Sequence, residues 1–301
     1  SMISEKMKPL VNNNSAIRAM FEEGKKLAAV YGAENVYDFS LGNPNVPAPD
    51  SVGQAICDIL KEEESTFVHG YMSNAGYEDV RDTIARSLNR RFGTSFHQNN
   101  ILMTVGAASG LNIILKTLLN PGDEVIVFAP YFVEYGSYVR NYDGNLVVIS
   151  PNTEDFQPNL EEFGEKITSR TKAVIINTPN NPTGVVYSAG TLARMADIRR
   201  ERQTQLGTDI VLISDEPYRE LAYDGVEVPY VTGFYENTVI CYSYSKSLSL
   251  PGERIGYLVI PDALKDSQEV FNAATIANRV MGAVNAPSLM QRVIKIGRAH
   301  V

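Results

Sequence analysis

Ala173-Val174-Ile175-Ile176-Asn177, running directly into Thr178-Pro179-Asn180-Asn181-Pro182-Thr183-Gly184, is the stretch on which the reading of the fold turns. Its first part is apolar without alternation, the pattern of a strand covered on both faces. Its second part is turn punctuation, two prolines and a closing glycine. Working outward, the same grammar recurs. Ile101–Val105, Asp123–Phe128, Leu146–Ile149, Ile210–Ser214 and Thr238–Tyr242 read as further strands. A helix to about Leu119 and helices over 160–167 and 188–205 lie between them. Strands alternating with helices imply an α/β fold, a mostly parallel sheet sandwiched by helices.

In such sheets ligands bind beyond the carboxyl ends of the strands, so the residues that follow each strand carry the chemistry. Gly106-Ala107-Ala108-Ser109-Gly110 opens a helix with small residues, leaving backbone N–H groups free to meet an anion. In isolation a plain tight turn is the better reading of that segment. The 177–184 loop fixes an asparagine at a strand end, and a structural turn does not need two consecutive asparagines. Ser214-Asp215-Glu216-Pro217-Tyr218 puts a carboxylate at the mouth of a core strand. Burying it unpaired is costly, so Asp215 is expected to face a permanent cation, from a ligand or from a buried Arg or Lys. Ser243-Tyr244-Ser245-Lys246 follows the last of these strands, with Gly252-Glu253-Arg254 beyond it. Lysines in such settings are commonly surface residues; a desolvated one would have the lowered pKa of an amine nucleophile.

Composition narrows the class of function. The 301 residues suffice for one large domain and a smaller one. A formal net charge of -8 excludes a general phosphate-backbone binder. The run Arg194–Arg202 interleaves acids at helical spacing and reads as a solvated helix face. No apolar run reaches the roughly 20 residues of a bilayer span, and residues 1–6 lack a signal-peptide core. Two cysteines make no disulfide framework, and the default compartment is the reducing cytoplasm. Three scattered histidines give no metal-ligand spacing, so metal: none is the expectation.

Taken together and in order, the Asn-Asn-Pro-Thr-Gly loop, the Asp-Glu-Pro-Tyr segment and Ser-Tyr-Ser-Lys followed by Gly-Glu-Arg-Ile-Gly-Tyr resemble the class I/II aminotransferases of pyridoxal-phosphate fold type I. Within that family the chain looks most like bacterial aspartate-type members, from about Asp38 to Gln291. The resemblance implies pyridoxal 5'-phosphate as cofactor and an enzyme that moves an amino group from an aspartate-like or broader amino acid to a 2-oxo acid. It implies that Lys246 forms the Schiff base and shuttles the proton, and that Asp215 pairs with the protonated pyridine nitrogen. Tyr218 and Asn181 would bond the ring's phenolic oxygen. Arg254, Ser243 and the backbone at Ala107, Ala108 and Ser109 would hold the phosphate, Arg through its bidentate fork. Phe132 would stack on the ring. Gly42 and Asn181 would meet the substrate, and Tyr71 would reach the phosphate of a neighbouring subunit, making the parent protein a homodimer.

The chain also departs from that pattern. The family's substrate-carboxylate arginine lies in a small C-terminal domain that is missing here, so the chain is expected to be C-terminally truncated and itself inactive. Residues 1–47 are then the N-terminal segment of the small domain and 48–294 the large cofactor-binding domain. Lys295–Val301 breaks the helix pattern, and Ile296–Val301 matches a translated sequencing adapter, so 295–301 is expected to be a foreign tail. Competing readings are a carbon–sulfur β-lyase of the same fold, a regulator domain that senses the cofactor, and an inert fragment. A regulator would carry a basic winged helix, and the 35 or so residues before the family-like region are not basic.

Overall fold

Each core strand places alternate side chains on opposite faces, and here both faces are apolar. β1 (Ile101–Thr104), β2 (Glu124–Phe128), β3 (Asn145–Ile149), β4 (Thr171–Asn177), β5 (Val211–Asp215), β6 (Thr238–Ser243) and β7 (Gly256–Val259) form one sheet in the order β1-β7-β6-β5-β4-β2-β3. The structure is a computed structural model that describes residues 1–12, 16–36, 47–180, 183–216, 229–244 and 250–298. β2, β4, β5 and β6 pair in parallel in that series, and β3 pairs in parallel with β2. β7 pairs antiparallel with both β6 and β1, so it runs against the other six.

The chain divides into two compact units, Ser1–Pro47 and Ala48–Val301. In the first, α1 (Met7–Asn12) and α2 (Ala16–Tyr31) expose much of their apolar surface; Val30 and Tyr31 are 72% and 64% exposed. The second unit holds the sheet. On one face Leu102, Val127, Ile175, Ile213 and Cys241 pack with α6 (Ala107–Leu118), α7 (Glu134–Arg140) and α10 (Ser267–Val280). On the other, Met103, Phe128, Ile176, Leu212 and Tyr242 pack with α3 (Asp50–Glu62), α5 (Glu78–Phe92), α8 (Leu160–Lys166), α9 (Ala189–Leu206) and α11 (Ser288–Arg298). The short α4 (Ser65–Val68) links α3 to α5 and buries Val68. Among the described residues no helix is long and apolar enough to cross a membrane.

Local chemistry explains the helix ends. Asn159 and Ser188 cap α8 and α9 by accepting bonds from Glu162 N and Thr191 N. α5 has Glu78 and Asp79 in its first turn, Arg90 and Arg91 in its last, and ends on Gly93 in the left-handed region. Two details differ from the sequence reading. β7 was not anticipated, because four residues led by a glycine give little periodicity. And the helix pattern does not break at Lys295: α11 continues to Arg298. Lys295 is held there by a 2.9 Å ion pair to Asp79, and Ile296 packs against the core.

The same helix is anchored by Arg292, only 6% exposed. Its guanidinium bonds both oxygens of Asp79 at 2.8 Å and reaches Glu63 at 2.6 Å, and it lies about equally close to the rings of Phe67 and Tyr77, which contact each other. Burial alone would raise the Asp79 carboxyl, but the bonds from Arg292 and Lys295 outweigh it and hold the pKa below the usual range. Removing the cation takes this partner from Glu63, leaves Asp79 to Lys295, and strips a buried side chain from Phe67 and Tyr77; the partial exposure of both carboxylates lets water soften the loss. Arg292→Ala is therefore expected to lower unfolding free energy by about 1–3 kcal/mol at neutral pH. Because a lowered carboxyl pKa gives stability that is lost on acidification, the difference between wild type and variant should shrink as pH falls through the Asp79 range. Denaturant titrations at neutral and acidic pH check both points; equal midpoints at neutral pH would refute the first.

Candidate active site

Since six strands share one direction, their carboxyl ends line one edge of the sheet, and the start of β7 joins them there. The paired positions run Thr104↔Gly256↔Ser243 on one side and Asn177↔Asp215↔Cys241 on the other. Gly256 is needed at this crossing, because a Cβ there would collide with the Tyr242 carbonyl.

One part of the edge suits an anion. α6 starts directly after β1 through Gly106, whose φ of +86° lies where L side chains are strained. Thr104 Oγ1 donates to the Gly106 carbonyl at 3.0 Å and pins the turn. The amides of Ala107, Ala108 and Ser109 fall in the first helical turn, where no intrahelical carbonyl receives them and the helix dipole is positive. Arg254, at φ +51°, lays its guanidinium over this turn: a Cβ on Gly106 would sit 2.8 Å from Nη2. α6 can lie this close to the sheet because Gly110 faces Cys241, where a Cβ would be 2.8 Å from Sγ. The Cys241 thiol donates to the Ala107 carbonyl at 3.3 Å; burial, then the nearby Asp215 and Glu216 carboxylates, push its pKa up.

The other part suits a cation. Asp215 ends β5 and is 5% exposed. The Tyr135 hydroxyl donates to its Oδ2 at 2.5 Å, and Asn177 Nδ2 donates to its backbone carbonyl at 3.1 Å. Its Oδ1 is buried and has no hydrogen-bond partner among the described residues. Burial drives the carboxyl pKa up to about 7; the Tyr135 bond opposes that shift and the neighbouring Glu216 adds to it. Glu216, also buried, accepts from Ser214 Oγ at 2.8 Å. Phe132, just after β2, meets Tyr135 edge-on with ring centroids 5.6 Å apart. Tyr138 feels both parts: burial first, then Glu134 and Asp215, raise its phenol to about 12, while Arg254 works against them.

Of the residues singled out from sequence, Ala107, Ala108, Ser109, Phe132, Asp215, Ser243 and Arg254 lie along this edge. Tyr71 is 93% exposed, ahead of α5. Gly42, Asn181, Tyr218 and Lys246 lie outside the described residues. Among the described residues no Arg or Lys pairs with Asp215. Sequence reasoning missed Tyr135, whose only signal is its place three residues after Phe132 at the start of a helix. A ligand with a protonated ring nitrogen at one end and a phosphate at the other suits this edge: Asp215 Oδ1 lacks a partner among the described residues, and the first-turn amides of α6 and the Arg254 guanidinium are gathered at Gly106. Pyridoxal phosphate has that shape of charge.

The family model for class I and II aminotransferases matches residues 34–295. The chain is 30% identical over 271 residues to the aspartate aminotransferase of Pyrococcus horikoshii, covering 89% of this chain and 65% of that protein. It is 33% identical over 238 residues to the aspartate/prephenate aminotransferase of Thermus thermophilus, covering 78% of this chain and 59% of that one. The chain thus spans less than two thirds of the length of these curated relatives. Among solved structures, an amino transferase from Eubacterium rectale superposes with a TM-score of 0.95 at 46% identity, covering 99% of this chain and 75% of that one. The Thermus thermophilus aspartate aminotransferase with maleate gives 0.85 at 28% identity, over 100% of this chain and 73% of that one. The chain belongs to the class I and II aminotransferases, a family of pyridoxal-phosphate-dependent transferases.

The raised Asp215 pKa has a consequence for cofactor-free protein. Between the ordinary carboxyl range and about pH 7 the folded state binds more protons than the unfolded state. Stability from this group is therefore present at acid pH and declines as pH rises through that window. Asp215→Asn should remove the decline, leaving a flatter profile of melting temperature from about pH 4 to pH 7 than wild type. Parallel profiles would contradict a desolvated Asp215.

Proposed function

We propose that the full-length protein is a pyridoxal-phosphate-dependent aminotransferase that moves an amino group from an aspartate-like or broader range of amino acids to a 2-oxo acid. The observation that carries this reading is the buried, unpartnered Oδ1 of Asp215, on the same sheet edge as the α6 N-terminus and Arg254. When bound, the cofactor supplies an electron-withdrawing ring that stabilises negative charge at the substrate's Cα.

The residues divide the work by charge. Asp215 holds a proton on the ring nitrogen, and so keeps the ring electron-poor. Arg254, the first-turn amides of α6 and Ser243 take the phosphate, where a fork of donors and a positive helix end act together. Phe132 covers a ring face. Lys246 would hold the cofactor through its Nζ and take up and return the substrate's Cα proton. Tyr218 and Asn181 would donate hydrogen bonds to the cofactor's phenolic oxygen. Gly42 offers its backbone, with Asn181, to the substrate carboxylate. Tyr71 crosses to the phosphate site of a second subunit, so the working unit is a homodimer, in the cytoplasm. The names of the relatives above support the aspartate-like range.

Purified full-length protein given aspartate and 2-oxoglutarate should form glutamate and oxaloacetate. Lys246→Ala should abolish this. Asp215→Ala should lower kcat by about 10³-fold, roughly 4 kcal/mol, while phosphate affinity changes little. Ammonia and pyruvate from a sulfur-containing donor, without glutamate, would replace this reading with β-elimination.

A further inference from the structure

Asp215 has two oxygens of equal intrinsic basicity, and a carboxylate free to turn about its last bond presents neither in particular. The structure breaks that symmetry. Oδ2 is taken by Tyr135 at 2.5 Å; Oδ1 is buried and unpartnered. Tyr135 itself is fixed: it is 2% exposed, its N–H donates to the Phe132 carbonyl at 3.0 Å, and its ring is wedged edge-on against Phe132. Burial and the adjacent Asp215 push its phenol far above the ordinary range, so it remains a donor at any working pH. Asn177 holds the Asp215 backbone from the neighbouring strand, so main chain and side chain are clamped separately.

We infer that Tyr135 is a positioning residue for amino transfer, its hydroxyl holding Asp215 so that the second carboxylate oxygen is presented to the cofactor's ring nitrogen. This rests on the role given to Asp215 above. The bond also has an electrostatic side. Burial and Glu216 both favour the neutral acid at position 215, and Tyr135 is the group that opposes them. Without its hydroxyl the carboxyl is freer to turn and easier to protonate, and in either case it meets the ring nitrogen less well. Tyr135 touches neither substrate nor cofactor in this scheme and acts through Asp215 alone.

Affinity, rather than turnover, tests this. Cofactor-free full-length protein is titrated with pyridoxal phosphate and with its analogue in which the ring nitrogen is replaced by C–H. Wild type is expected to prefer pyridoxal phosphate by about 100-fold, and Tyr135→Phe to cut that preference by about tenfold, the scale of one hydrogen bond to a charged group. A merely structural tyrosine would weaken both ligands alike, so an unchanged preference in the variant overturns the proposal and leaves the Asp215 role standing. No preference in wild type overturns the Asp215 role and Tyr135's with it. Should Tyr135→Phe fail to fold, 3,5-difluorotyrosine at position 135, a stronger donor of the same shape, should move the infrared titration of the Asp215 carboxyl to lower pH. An unmoved titration overturns the proposal.

Discussion

The carboxylate of Asp215 is held out of water at the end of a strand buried along its whole length, and the neighbouring elements answer to that burial. A charge there is unfavourable unless something neutralises it or bonds to it. The fold supplies half an answer, the Tyr135 hydroxyl from α7, while Asn177 from β4 holds the Asp215 main chain and Oδ1 has no partner among the described residues. In the function proposed above, the ligand's cation sits against that oxygen. A protein stabilised for its own sake would put an arginine in reach of Asp215, and such a protein would have no use for the cofactor's ring nitrogen.

The opposite charge requirement is met at the same sheet edge by different means. No acid lies in the first turn of α6, the turn is made by a glycine with positive φ, and Arg254 arrives over it from the start of β7. This depends on β7 running against its neighbours. Were it parallel, its first residue would sit at the far edge, and Arg254 would be a sheet's depth away from the α6 N-terminus. Close approach through Gly110 and Gly256 keeps helix and strands tightly packed there, which is what the proposed sharing of one anion by the amides and the guanidinium calls for.

How much of this is legible in sequence depends on range. The apolar runs that became β2, β4, β5 and β6 are plain, because burial on both faces leaves no polar position to confuse the period. Asp215 stands out as a charge ending such a run. Ala107 and Ser243 lie at or just past strand ends, and the parallel-sheet rule sends the eye there; Arg254, ahead of β7, is singled out by the family resemblance. Tyr135 is not legible: it meets Asp215 across 80 residues, and no local pattern encodes that meeting. Nor is β7, whose direction is set by pairing and not by composition. The extension of α11 past Lys295 was missed for a like reason, since the ion pair that holds it joins residues 216 positions apart.

Where β6 leaves the sheet and β7 enters it, the two chains are stitched together: Ser243 pairs with Gly256, and the Tyr244 N–H donates to the Ile255 carbonyl at 3.0 Å. The exit from β6 and the entry into β7 are thus fixed in register by the sheet's own ladder. Arg254, next in line to Ile255, starts from a backbone point set by that pairing. The anchor of its guanidinium over the α6 turn is in this sense a property of the main chain, and side-chain substitutions along β6 and β7 that keep the ladder should leave it in place.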